Sequence, residues 1–379
     1  MLAEVMGWLC RAQDGSKYAD GGVARDYSLI HGWAASYPET TGYIVPTFLD
    51  YGQRTGDLEF VERARRMVDW LVSIQLSEGA FQGGKIDASP VVPVTFNTGQ
   101  ILLGLAAAEQ HFGGYREAMR RAGDWLVSTQ DEDGCWRRFP TPFAAPGEKA
   151  YETHVAWGLF EAARVEPGRG YAEAAIANVG WAMALQEPNG WLDRCCLDSP
   201  AAPLTHTLGY AVRGIIEAFR YTGNEEYLVA AARTLKGLLG AFGRDGFLPG
   251  RLRADWSPRA SWACLTGTAQ IAHCLLLLHR FTGDDEYAEY AFRANAFVRR
   301  TVNVDGRPEV RGGVKGSEPI SGPYSRFEYP NWAAKFLADS LMEEGDVRAG
   351  GRTSLSADAR KGNGEPARPP SGDVAVGRD

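Results

Sequence analysis

A Trp-Leu pair followed by Gln and a Gly turn returns along this chain at nearly constant intervals, and this repeat restricts the possible folds more than any other feature. Trp8-Leu9 leads to Gln13-Asp14-Gly15, Trp70-Leu71 to Gln75 and Gly79, Trp125-Leu126 to Gln130 and Asp133-Gly134, and Trp181 to Gln186 and Asn189-Gly190. Degenerate copies follow at Gly237-Leu238 with Asp245-Gly246 and at Phe297 with Asp305-Gly306. A period of about 56 residues fits two helices and two connections. Short Gly turns punctuate the intervals: Thr55-Gly56-Asp57, Gly113-Gly114, Gly168-Arg169-Gly170, Thr222-Gly223-Asn224 and Thr282-Gly283-Asp284. Gly suits the left-handed residue that ends one helix, and Asp or Asn can cap the next.

The pattern predicts twelve helices. Odd ones cover roughly 2–14, 57–76, 114–130, 170–186, 224–242 and 284–301; even ones cover roughly 40–55, 96–112, 151–165, 204–222, 264–282 and 330–343. The even set is apolar and rich in Gly and Ala, while the odd set carries charge, as in Glu62, Arg63, Arg65 and Arg66 opposite Trp70. Helices apolar on most faces are buried. The expected fold is therefore all-α: an (α/α)6 toroid of six helical hairpins, with even helices in an inner ring and odd helices in an outer ring. One domain is expected over 1–344. Residues 345–379 hold Gly, Pro, Ser and charge with few large apolar side chains, and read as a disordered tail.

Composition removes several classes. A net charge of −7 argues against a nucleic-acid partner. No apolar run is long enough to span a membrane, and the first residues lack the basic flank and apolar core of an export signal. Six scattered cysteines fit reduced thiols and a cytoplasmic location. No phosphate-binding Gly loop and no dinucleotide fingerprint is present, so no cofactor is expected.

The connections are asymmetric. Turns from inner to outer helices are short, whereas outer-to-inner connections are long: about 15–40, 77–95, 131–150, 187–203, 243–263 and 302–329. Long ordered loops in a compact fold are usually functional. Because hairpins alternate direction, all six fall on one face, at the N-termini of the inner helices. That face gathers Tyr37-Pro38-Glu39-Thr40-Thr41-Gly42, Phe96-Asn97-Thr98-Gly99-Gln100, Tyr151-Glu152-Thr153-His154, Leu204-Thr205-His206-Thr207, Leu265-Thr266-Gly267-Thr268 with Gln270, and Tyr329-Pro330-Asn331-Trp332 with Lys335. Capping accounts for Thr40, Thr205 and Thr266. It does not account for the recurring Tyr, His and Glu.

The chemistry that these residues allow is acid–base. His154 and His206 each fall in the first turn of an inner helix, where the dipole favours neutral imidazole and hence a base or a proton shuttle. Glu39 and Glu152 start inner helices; electrostatics favours acids there, but a carboxylate pair across a cavity could also serve glycoside hydrolysis. Asp87, Asp193 and Glu328 are loop alternatives. Tyr210 completes the catalytic candidates: with Asn97, His206 and either Arg213 or Arg311 it could supply the base, acid and carboxylate neutraliser of a uronate lyase or a C5 epimerase. Tyr37, Tyr151, Tyr210, Tyr324 and Tyr329, with Trp136, Trp191, Trp256, Trp262 and Trp332, could stack on sugar rings, and Gln100, Gln270, Asn331 and Lys335 are further substrate-binding candidates. Arg137, Arg138, Arg194, Arg251, Arg253, Arg311 and Lys315 lie in the long loops. With six helix N-termini they predict an electropositive mouth, and so an anionic small-molecule or oligosaccharide substrate such as a uronate-containing glycan. His111, His273 and His279 read as structural.

The hairpin pattern resembles the α/α-toroid superfamily. Over 1–345 it is most similar to toroid proteins often associated with bacterial polysaccharide or glycoconjugate gene clusters, on the segments Tyr37 to Gly42, Phe96 to Gln100, Leu204 to Thr207, Arg311-Gly312-Gly313 and Tyr329 to Lys335. The resemblance implies the toroid fold and a link to sugars. The superfamily includes unsaturated glucuronyl hydrolases, N-acylglucosamine 2-epimerases, alginate-type lyases, terpene cyclases and lanthipeptide cyclases, so fold alone does not choose a reaction. The expectation is a carbohydrate-active enzyme acting on an acidic or amino sugar: a glycosidase, a lyase or an epimerase. Three alternatives stand beside it. A non-catalytic glycan-binding or scaffold subunit would use the same rim aromatics. A terpene cyclase shares Gln130…Trp136, but its acidic motif is missing from the inner helices. A zinc lanthipeptide cyclase would need ligands from Cys195, Cys196, Cys264 and His206 or His154. No metal is expected in the primary reading.

Overall fold

The computed structural model describes residues 1–350. Six outer helices, α1 (Leu2–Asp14), α3 (Leu58–Ser73), α5 (Arg116–Thr129), α7 (Tyr171–Met183), α9 (Glu225–Leu239) and α11 (Asp285–Thr301), alternate with six inner ones. The inner helices are α2 (Pro38–Thr55), α4 (Thr95–Phe112), α6 (Thr153–Val165), α8 (Thr205–Thr222), α10 (Leu265–Thr282) and α12 (Asn331–Arg348). Each inner helix packs on the next inner one, and α12 packs on α2 and α1, so the ring closes as an (α/α)6 toroid. α12 runs past the expected domain limit at 344 as far as Arg348, because Met342, Glu343 and Glu344 remain buried against the ring. The rest of the expected tail, 351–379, lies outside the described residues.

The turn chemistry follows local rules. Gly56, Gly223 and Gly283 end inner helices in the left-handed region, and Asp57, Asn224 and Asp284 accept from the backbone N–H two residues on. Thr40, Thr205 and Thr266 are not caps: Tyr37, Leu204 and Cys264 occupy those positions, without a side-chain cap. The long loops also carry short strands, β1 (Asp26–Ser28), β2 (Gly32–Trp33), β3 (Ala263–Cys264), β4 (Ser317–Glu318) and β5 (Glu328–Pro330). β1 pairs antiparallel with β5, tying the first loop to the last.

The repeated Gln proves to be a stitch between neighbouring hairpins. Gln130 Nε2 donates to the carbonyls of Gly134, in its own turn, and of Ala174, on the next outer helix, each at 2.9 Å. Gln75 does the same to Gly79 and Ala118, and Gln13 bonds Gly21 and Arg63. The Gly of the motif is required because it sits at positive φ against that helix: Gly134 has φ +89, and a Cβ there would meet the Ala177 carbonyl oxygen. The equivalent glycines of the first and last copies are Gly21 and Gly312, not Gly15 and Gly306. Gly312 abuts the Glu4 carbonyl and closes the ring onto α1. Replacing Gln130 by Leu strands two carbonyls, and chemical denaturation is expected to show a loss of about 1–3 kcal/mol.

Candidate functional site

The inner helices present their axial side chains at i, i+3 and i+4, and these fill the axis from the loop face downwards. Glu39 is followed by Tyr43 and Thr47, Phe96 by Gln100, His154 by Trp157, His206 by Tyr210 and Arg213, and Trp332 by Lys335, Phe336 and Asp339. An upper and a lower cavity lie among the described residues. The upper one, about 530 Å³, opens among the long loops. Its wall is aromatic, with Tyr37, Phe96, Tyr151, Tyr210, Tyr324 and Trp332; its polar groups include Glu39, His206, Arg25, Lys85, Asp198 and Arg251. Phe96 stands edge-on to Tyr151 and Tyr210 at 5.3 and 5.1 Å, and Trp332 Nε1 donates to the Tyr324 hydroxyl at 2.8 Å.

Burial moves the two principal titratable groups in opposite directions. It raises the Glu39 carboxyl from 4.5 to about 8, against weaker opposition from the Tyr37 hydroxyl and Arg25. It lowers His206 from 6.5 to about 4, with the Gln270 hydrogen bond acting the other way. The helix dipole expected from the sequence favours a neutral imidazole, and desolvation acts in the same direction. Tyr37, Tyr210 and Tyr324 are pushed well above the usual tyrosine range by burial and stay protonated hydroxyls.

Of the sequence candidates, the structure gathers Glu39, His206, Tyr210, Tyr37, Tyr324 and Trp332 around this cavity. It does not bring the others there. His154 is fully buried with Nδ1 2.6 Å from Gln100 Oε1, and neither residue lines a cavity. Asn97 is buried and donates to the Gln82 carbonyl; Asn331 donates to that of Ala24. Tyr329 and Trp262 pack against loop glycines, Gly313 and Gly250 respectively. Arg311 pairs with Glu4 at 3.3 Å and belongs to the ring closure. Arg213 and Lys335 line the lower cavity, about 240 Å³, with His273 and Asp339. Arg213 lies seven residues below His206, which at 1.5 Å per residue places it about 10 Å deeper. Most loop cations expected at the mouth are neutralised: Arg137 by Asp131, Asp133 and Glu148, Arg194 by Glu148, and Lys315 by Glu318. Arg251 does line the cavity, paired with Asp198 at 2.5 Å.

Glu152 is also away from the cavity. Its carboxyl is buried beside Lys149 and Cys135, its Oε2 has no hydrogen-bond partner, and its pKa is raised by burial to about 8. The folded state therefore holds a proton that the unfolded chain releases above 4.5. Stability is full below the unfolded value and is lost as pH rises through about 8. Glu152→Gln removes that loss. The variant is expected to match wild type near pH 4 and to exceed it by about 4–5 kcal/mol near pH 9, read by urea unfolding.

Arg25, Lys85 and Asp198 line the cavity without having been expected there; Tyr151 does so as one of the expected rim tyrosines, and Phe96, placed on that face by the sequence, was not among the substrate-binding candidates. Helical spacing could have found Phe96, which stands one turn above Gln100; the loop residues carry no such signal. Among the described residues no three His, Cys, Asp or Glu side chains gather as a metal site, and no helix is long and apolar enough to cross a membrane.

The sequence matches no family model and no curated protein. In three dimensions the chain is similar to an unsaturated glucuronyl hydrolase specific for heparin, with TM-score 0.73, 14% identity, and 92% of this chain and 96% of that one covered. It is similar to a sugar epimerase from a ruminal bacterium, with TM-score 0.74 and 12% identity over 91% and 99% of the two chains. The cellobiose 2-epimerase of Bacillus thermoamylovorans gives TM-score 0.70 and 12% identity over 90% and 96%. At such identities the likeness is one of fold, and the fold is the α/α toroid.

Proposed function

We propose that this chain is a carbohydrate-active enzyme that moves protons on an acidic or amino sugar of a small glycan, with Glu39 as the acid and His206 as the base. One observation carries the reading: a carboxyl held protonated and an imidazole held neutral share one aromatic-walled cavity. Two groups displaced in opposite directions divide the acid and base roles at neutral pH. The Tyr210 and Tyr324 hydroxyls are further donors to a sugar oxygen.

The pair suits addition, elimination or epimerisation, which need a proton giver and a proton taker together. It suits retaining glycoside hydrolysis less well, because that uses one ionised carboxylate as nucleophile. Asp198, the other carboxylate lining the cavity, is held by Arg251. With Glu39 neutral, the lining cations Arg25, Lys85 and Arg251 face Asp198, and the inner-helix N-termini add partial positive charge. This favours an anionic substrate, although Arg25 is partly neutralised by Asp26 and Glu328. The solved toroids named above, an unsaturated glucuronyl hydrolase and two sugar epimerases, support a carbohydrate substrate, as does the resemblance to toroids of polysaccharide gene clusters. The six free cysteines accord with a cytoplasmic location.

The test offers an unsaturated glucuronyl disaccharide and cellobiose to the purified protein. Loss of the unsaturated uronate absorbance reports hydration or hydrolysis, and NMR in heavy water reports epimerisation. Conversion of the uronyl disaccharide supports the proposal; conversion of cellobiose alone would support the acid–base reading and overturn the acidic or amino sugar. Binding of both without product, in wild type as in Glu39→Gln, would instead establish a glycan-binding module.

A further inference from the structure

We infer that Gln270 is a positioning residue that sets which nitrogen of His206 carries the proton, so that a bare Nε2 is presented to the cavity. The inference rests on the reading of His206 as the base. Gln270 Oε1 lies 2.7 Å from His206 Nδ1. An amide oxygen accepts and cannot donate, so Nδ1 is the donor, and the lone pair of the neutral ring falls on Nε2. His206 lines the cavity, whereas Gln270 does not, so the amide holds the ring from behind. A glutamate in its place would give the same geometry with a full charge, and would favour imidazolium over the free base.

The contact is built into the packing of two helices. Gly209 of α8 faces Gln270 of α10: a Cβ on Gly209 would stand 2.7 Å from Gln270 Cβ and 3.1 Å from Oε1. On the same interface a Cβ on Gly267 would stand 2.5 Å from the His206 backbone nitrogen. The two glycines let the helices approach until a Gln side chain reaches the ring of its neighbour. The amide is then fixed by packing, and so is the hydrogen bond it accepts.

The molecule contains its own comparison. Gln100 Oε1 stands 2.6 Å from His154 Nδ1, the same pairing across α4 and α6. The two histidine rings flank Tyr210, with centroids 4.6 Å away for His154 and 4.4 Å for His206. His154 Nε2 is sealed in the core without a partner, while His206 reaches the cavity. One copy of the device is closed off, and the other is aimed at substrate.

Nitrogen-15 NMR of histidine-labelled protein tests this without turnover, with the His206 signal assigned by His206→Asn. Wild type is expected to show the Nδ1–H tautomer at His206 between about pH 5 and 8. Gln270→Met is expected to mix the tautomers and lower kcat roughly tenfold with KM little changed. Gln270→Glu is expected to raise the ring pKa by at least about one unit and carry the acid limb of kcat/KM with it. Gln100→Met is expected to change the His154 signals and leave those of His206 in place. An Nε2–H tautomer in wild type, or unchanged His206 signals in Gln270→Met, overturns the inference; should that variant not fold, the wild-type tautomer decides. Full turnover of the glycan probes by His206→Asn would instead overturn the base reading, which the ring-nitrogen shifts keep distinct.

Discussion

Glu39→Gln is expected to lower turnover roughly 100- to 10,000-fold while the toroid stays folded. The amide keeps the shape of the carboxyl and has no acidic proton to give. The pH profile should change with it. Glu39 holds its proton below about 8 and His206 is a free base above about 4, so wild-type kcat/KM should rise through the lower value and fall through the upper one. In Glu39→Gln the alkaline fall should vanish from the residual activity, and in His206→Asn the acid rise should vanish. A Glu39→Gln enzyme with more than about a tenth of wild-type turnover would remove Glu39 from the acid role.

Gly104→Val is expected to cost about 3 kcal/mol or more in urea unfolding. Gly104 of α4 lies directly on the backbone of Gly42 in α2, and a Cβ there would collide with the Gly42 carbonyl. No side chain can move aside to relieve it, because the obstacle is backbone in a neighbouring helix. The inner ring would have to open, and the upper cavity is built on that ring. Gly180→Ala is the matched control: a Cβ on that outer-helix glycine would meet nothing within 4 Å. It should be neutral or slightly stabilising, since Ala is the better helix former. Comparable losses in both variants would show that the tight inner packing is not what holds the ring.

The twelve helices and their ring order were legible because the signals are local. A Gly at a helix end, an Asp that caps the next helix and a Trp on a buried stripe each act within a few residues. The face of the site was legible for a related reason: hairpins alternate direction, so loop length alone shows which end collects the long connections. Glu39, His206 and Tyr210 were placed at the cavity because they stand on the first two turns of inner helices at that face. Gln100, Arg213 and Lys335 were placed at the mouth although they lie deeper, an error of helical rise that the i, i+4 ladder corrects. Arg311 was misplaced for a different reason. Its loop also closes the ring onto α1, and no residue near it in the chain announces Glu4 as its partner.

The Trp-Leu and Gln-Gly repeat by itself determined the number of hairpins, their alternation and the end of the toroid that carries the cavity. Its own role is structural, for the four glutamines each stitch one hairpin to the next. Only the tertiary structure decided which polar side chains share a cavity and in which protonation state. Glu39 and Glu152 both begin inner helices and are both pushed to about 8 by burial, yet Glu39 faces the cavity and Glu152 is sealed beside Lys149 and Cys135. His154 and His206 share a partner type and a depth, and only His206 reaches the cavity. Local sequence sets where a residue stands on its helix, whereas desolvation and access depend on what the other five hairpins bring against it.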